Sequence, residues 1–283
     1  MVHPSPLRAD PERAVPQPDE RPDTLLSVSH ASIGYWVNGT FARAVADVSF
    51  DVTAGETIML IGPSGCGKST LLKTIAGFLE LADGTITVAG RRTLAPGPDR
   101  AVVFQEFDQL FPWRDVLDNV AYPLRRNGRK RSDADQQARR YLEMMGLSRA
   151  LDRHPHQLSG GMKQRVAIAR AFALEPVMLL MDEPFGALDA LTRARLQAEL
   201  NAIAKRTGVT ILFVTHSIEE AIVLGDRVVV LTDPPSVVRE TVQITDEAKV
   251  VGSEEYRSVR THLGSLLHRD GKGADEDVAE FTD

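Results

Sequence analysis

The sequence of 283 residues contains a single cysteine, Cys66. No intrachain disulfide can form, which suits a reducing compartment. Cationic excess is also missing. Lys and Arg number 33 against 39 Asp and Glu, a formal net charge of −6, so no global basic field draws the chain to nucleic acid. No run approaches the ~18 apolar residues of a membrane span, and the N-terminus lacks the apolar segment of a signal peptide. If the chain works at a membrane, partner chains are expected to supply the span. There is no internal repeat. What is present is 43% hydrophobic and 25% charged residues, the balance of a globular protein with a sizeable core and room for two lobes.

Residues 1–23 hold six prolines and many charges, a composition that predicts a disordered arm. Folded sequence is expected from Thr24. Leu25–Val28, Val45–Val52, Thr57–Ile61, Thr85–Val88 and Ala101–Phe104 read as strands, so the opening is β-rich. Residues 114–146 are helical in pattern and Arg-rich. Within them Arg125–Arg131 forms a basic turn that suits either a solvated helix connection or contact with phosphate or lipid head groups. Another helix is expected after Ser159. Alternation then returns. Val177–Met181 and Val209–Thr215 read as strands buried on both faces. Between them Leu196, Leu200, Ile203 and Ala204 fall on one helical face that stops at Gly208. Val228–Thr232 and Val237–Thr241 read as a hairpin. The segment 246–283 is predicted to be an acidic, partly disordered extension, loosest from Arg269 onward.

Three motifs carry chemistry. Gly62, Pro63, Ser64, Gly65, Cys66, Gly67, Lys68 and Ser69 match G-x-x-x-x-G-K-[ST], and Thr70 follows. The glycines allow a tight turn whose N–H groups converge on phosphate oxygens; Lys68 can reach the β- and γ-phosphates, and the Ser69 hydroxyl can ligate Mg²⁺. The loop stands between an apolar strand and a helix, the context that places phosphate at a helix N-terminus. In the second motif the run from Val177 ends in Asp182 and Glu183. A carboxylate at that strand end can join the metal near Ser69, and the next one can polarise a water for in-line attack on the γ-phosphate. The third is Gln157–Arg165, where Ser159, Gly160 and Gly161 place a hydroxyl and backbone N–H groups at a helix start, a setting suited to an anion.

With these motifs in this order, followed by Asp189 and by His216 after the next strand, residues 24–245 resemble the ATP-binding subunits of ATP-binding cassette (ABC) transporters. The segments Gly97–Gln105, Leu110–Trp113, Val116–Val120 and Asp182–Asp189 are similar to those of bacterial importers of nitrate, sulfonate and taurine. The resemblance implies an α/β fold: a P-loop NTPase (RecA-like) core with an antiparallel β subdomain and an inserted helical subdomain at about 106–170. It implies ATP and Mg²⁺ as cofactors, with Ser69, Gln105 and Asp182 on the metal and Glu183, Gln105 and His216 in catalysis. Tyr35 would stack on adenine, although an exposed or core tyrosine is the ordinary alternative. Ser159, Gly160 and Gly161 would contact the γ-phosphate held by a second copy, and Asp189 would communicate between the two sites. Met162 departs from the glutamine common at that place.

The implied partners are a second copy packed head to tail, transmembrane permease subunits and, indirectly, a solute-binding protein, with no nucleic acid. The implied location is the cytoplasmic face of the inner membrane, as a peripheral protein. Leu110, Phe111 and Trp113 are the candidate permease groove, core packing being the alternative for each. A soluble ABC ATPase acting on nucleic acid typically carries a coiled-coil or zinc insertion. Only 53 residues separate Gln105 from Ser159, without a long heptad run or a cysteine pair. A P-loop kinase would lack the signature at 158–162. Finally, a bulky reagent on the Cys66 thiol is expected to obstruct phosphate, with ATP protecting.

Overall fold

A computed structural model describes residues 23–37, 39–92, 95–105 and 109–268. The proline-rich arm, apart from Asp23, and the acidic stretch after residue 268 lie outside the described residues. The chain divides into two compact units, one of residues 95–211 and one of 24–94 with 212 onward.

The second of these units opens with β1 (Thr24–Val37) and β2 (Thr40–Thr53), paired antiparallel. β4 (Asp83–Val88) pairs antiparallel with the other edge of β1, and the two-residue β5 (Arg91–Arg92) follows it. β1 continues nine residues beyond the Leu25–Val28 core that hydrophobic pattern identifies. Register shifts between Val28 and Ala31, and again to Ile33, break the alternation of side chains, which hides the rest from a period-two search. At that irregularity His30 and Asp47 both take positive φ, 51° and 56°, and His30 Nδ1 lies 2.6 Å from Asp47 Oδ1.

The same unit holds β3 (Thr57–Ile61), parallel to β9 (Arg227–Leu231), which pairs antiparallel with β10 (Val238–Gln243). β8 (Thr210–Val214) runs on the other side of β3. β3 is buried from Ile58 to Ile61 and β8 along its whole length, as continuous apolar runs require when both faces are covered. The helices are α1 (Lys68–Ile75), α6 (Ile218–Leu224) and α7 (Glu254–His268). The sequence pattern did not identify α7. It buries Leu263 and Leu266, while its first turn carries Glu254 and Glu255, which complement the helix dipole.

In the other unit β6 (Arg100–Val103) runs parallel to β7 (Met178–Asp182). α2 (Val116–Arg126), α3 (Arg131–Met144) and α4 (Gly160–Ala173) pack together, and α5 (Ala190–Thr207) follows β7. The helical stretch read over 114–146 is two helices, broken where Gly128 takes φ +90°. Their shared core includes Val120, Leu124, Ala138 and Leu142, with Tyr141 stacked on Phe172 at 6.5 Å. Burying each of the larger side chains contributes about 1.5–3 kcal/mol. α5 buries the four apolar residues read from its pattern and ends at Gly208 in the left-handed conformation, φ 63°.

Candidate nucleotide-binding site

Residues 62–67 link β3 to α1. Gly65 and Gly67 have φ of +78° and +95°, a region that costs other L-residues roughly 1–2 kcal/mol. A Cβ on Gly62 would stand 2.8 Å from Cys66 Sγ and 3.0 Å from Leu231 O, so close approach also requires glycine there. Lys68 is buried, and its Nζ donates to Gly62 O at 2.8 Å and Pro63 O at 3.0 Å, which holds the ammonium inside the curve of the loop. α1 begins with no side-chain cap and no acidic residue in its first turn. A glycine cradle, a buried cation and a helix start without an acid fit a chain of phosphates.

Tyr35 is 43% exposed, and its hydroxyl donates to Thr70 Oγ1 at 3.0 Å. The ring is thereby placed beside the first turn of α1 with surface to spare, as stacking on a base would need. His216 is exposed in the short link from β8 to α6. That link is held from both sides. Thr215 N donates to Leu60 O in β3 at 3.3 Å, and the Thr215 hydroxyl donates to Glu220 Oε2 at 2.7 Å. Ser217 caps α6 by accepting from Glu220 N at 3.2 Å. The backbone around His216 is therefore fixed while its ring faces outward.

In the unit of residues 95–211, the parallel alignment of β6 and β7 brings their C-terminal ends to one edge. Gln105 follows β6 and Glu183 follows β7, and Gln105 Nε2 lies 3.5 Å from Glu183 Oε2. Asp182 closes β7 and is buried. Glu183 takes φ +45°, a left-handed conformation that a non-glycine residue keeps at a cost of about 1–3 kcal/mol. Ser159 caps α4, accepting from Met162 N at 3.4 Å, with Gly160 and Gly161 in the first turn and no acid there. Met162 thus supplies a backbone N–H to the cap whatever its side chain. Asp189 caps α5, accepting from Thr192 N at 3.0 Å, and this bond holds its carboxyl below the usual range.

Pattern reading missed two contributors. Thr192 is one, because its contact with Gly161 joins segments about thirty residues apart. The other is Asn119, buried in α2. Its Nδ2 donates to the carbonyls of Phe111, Arg114 and Asp115 at 3.1, 3.0 and 3.0 Å, and its Oδ1 accepts from Phe111 N at 2.8 Å. It shapes the turn that leaves Trp113 71% exposed while Leu110 is buried. Of the three groove candidates, Leu110 is therefore core, Phe111 is half-buried against Tyr122 at 5.5 Å, and Trp113 alone stands out.

The expectation for the Cys66 thiol is corrected. Its side chain is buried, and burial raises its pKa against the opposing pull of Lys68. A thiol both inaccessible and protonated is a poor nucleophile. In the basic turn, Arg125 is paired with Asp118 and Asp135, and Arg129 with Glu175, whereas Arg126 and Lys130 are exposed.

Residues 45–186 match the ABC transporter family. The chain is 44% identical over 254 residues to the taurine import ATP-binding protein TauB of Rhizobium johnstonii, covering 86% of this chain and 97% of that one. It is 43% identical over 234 residues to the nitrate import ATP-binding protein NrtD of Synechococcus elongatus, covering 80% and 85%. Among solved structures it resembles the dimeric form of MJ0796, a bacterial ABC transporter cassette, with a TM-score of 0.70 and 31% identity over 78% of this chain and 99% of that one. No helix among the described residues is long and apolar enough to cross a membrane.

Proposed function

The chain belongs to the ABC transporter family and is an ATPase, and on that premise we propose that it powers import of a small anionic or organic solute such as nitrate, a sulfonate or taurine. The observation that carries the proposal is the match to taurine and nitrate import ATPases over most of both chains. Permease subunits would provide the path across the membrane and a solute-binding protein would deliver cargo. The ATPase would then sit peripherally on the cytoplasmic face of the inner membrane. Trp113, exposed on the turn shaped by Asn119, supports the groove assigned to the permease.

For the nucleotide, the reading assigns Gly62–Thr70 to the phosphates and Tyr35 to the adenine. The oxygen donors Ser69, Gln105 and Asp182 suit Mg²⁺, a hard cation. When bound, it neutralises charge on the β- and γ-phosphates. Lys68 would move from its loop carbonyls to phosphate oxygens. Glu183 would accept the proton of the attacking water, with Gln105 orienting that water and His216 on the γ-phosphate. Ser159, Gly160 and Gly161 would meet the γ-phosphate on a second copy, with Asp189 linking the two sites. The dimeric MJ0796 cassette, at 31% identity, supports the pairing.

The test is reconstitution with the permease in proteoliposomes together with the binding protein. Taurine, an alkanesulfonate or nitrate should stimulate ATP turnover and appear inside the vesicles. Turnover stimulated by DNA, with no dependence on a permease, overturns the proposal.

A further inference from the structure

Gly161 sits under two residues that flank Asp189 in sequence. A Cβ placed on it would stand 2.8 Å from Thr192 Cγ2 and 3.9 Å from Leu188 Cδ2. The obstacle at Thr192 is a β-branched side chain with a stiff χ1, so it cannot swing aside as a flexible chain end would. The Thr192 backbone N–H donates to Asp189 Oδ1 at 3.0 Å, and the hydroxyl on the other branch of the same side chain helps to hold that carboxyl below its usual range. Further along the same two helices, Arg165 of α4 pairs with Glu199 of α5 at 2.9 Å. Arg193 Nη2 donates to Leu188 O at 3.0 Å and holds the residue before Asp189.

We propose that Thr192 is a positioning residue that locks the signature turn at Gly161 and the Asp189 carboxylate into one register, its methyl serving the first and its hydroxyl the second. Only threonine offers both groups from one β-carbon. Serine keeps the hydroxyl and loses the methyl; valine does the reverse. The consequence falls on pairing of two copies, because Ser159–Gly161 and Asp189 are the segments assigned above to the second copy, and the proposal rests on that reading.

The test uses the full chain carrying Glu183→Gln, which blocks turnover. ATP-driven dimerisation is followed by sedimentation, with binding of a fluorescent ATP analogue to the monomer and the melting temperature as controls. Thr192→Ser and Thr192→Val should each weaken dimerisation by about three- to tenfold, while both controls stay unchanged. Gly161→Ala should cost less in the Thr192→Ser background than beside Thr192, because the space the new methyl needs has been vacated. Dimerisation equal to the parent in either Thr192 variant overturns the proposal, as does an equal cost of Gly161→Ala in both backgrounds. A parallel fall in melting temperature or monomer affinity makes Thr192 a mere packing residue and overturns it too. If the Glu183→Gln parent fails to dimerise with ATP, the two-copy reading and this proposal fall together; loss at the Thr192 step alone leaves the two-copy reading standing.

Discussion

Glu183 holds a left-handed backbone at the end of a buried strand, with Gln105 at the limit of hydrogen-bond distance. Removing its charge while keeping its shape should leave ATP binding intact and lower the hydrolysis rate by about 10²–10⁴-fold, the range for a lost general base. Single-turnover hydrolysis by Glu183→Gln measures this, and near-normal rates would remove Glu183 from the base role. Cys66 leads to the opposite of what its position in the loop suggests. Burial and a raised thiol pKa predict slow labelling by a bulky maleimide in the native protein, with ATP making little difference. Rapid, ATP-sensitive labelling followed by mass spectrometry would contradict this. The motif placed Cys66 correctly in the loop, but which way its side chain points depends on Gly62 and Lys68 packing around it.

At the scale of elements, two polar clusters hold the helical part together. Asn119 makes four hydrogen bonds from a fully buried position, so Asn119→Ala leaves several backbone groups unpaired. It should cost about 1–3 kcal/mol in urea unfolding. An unchanged midpoint contradicts that account. Asp118 accepts hydrogen bonds from Arg125 and Arg114. Partial burial pushes its carboxyl up, but the two guanidinium partners prevail and hold it below the ordinary value. A depressed folded pKa means that the stabilisation is complete above the unfolded carboxyl's ~3.9 and is lost as pH falls through the lower folded value. Asp118→Asn should therefore destabilise at pH 6 and make little difference at the acid extreme. A pH series of thermal melts in which the two proteins stay parallel would argue against this pair. None of this was visible in the periodicity of residues 114–146, which registers apolar faces and not the partner of a charge. α7 does carry a 3.6-period apolar face in Tyr256, Leu263 and Leu266, but the acidic composition of residues 246–283 masked it.

At the scale of the molecule, the chain carries phosphate-binding and signature segments once each, and the proposed site needs a second copy. Light scattering of the Glu183→Gln protein should show dimers with Mg²⁺-ATP and monomers with ADP. Monomers under both conditions would count against the pairing. The sequence by itself determined the family, the α/β alternation and the residue types at each motif. Those depend on short spacings along the chain: a strand, a turn that needs glycine, a capped helix. Only the tertiary structure decided which side chains act together. β6 and β7 align Gln105 with Glu183 across 78 positions, and Tyr35 reaches Thr70 across 35. Thr192, in the first turn of α5, stands against Gly161 in the first turn of α4. Such contacts come from burial and register between elements, and a pattern read along one strand or helix does not contain them.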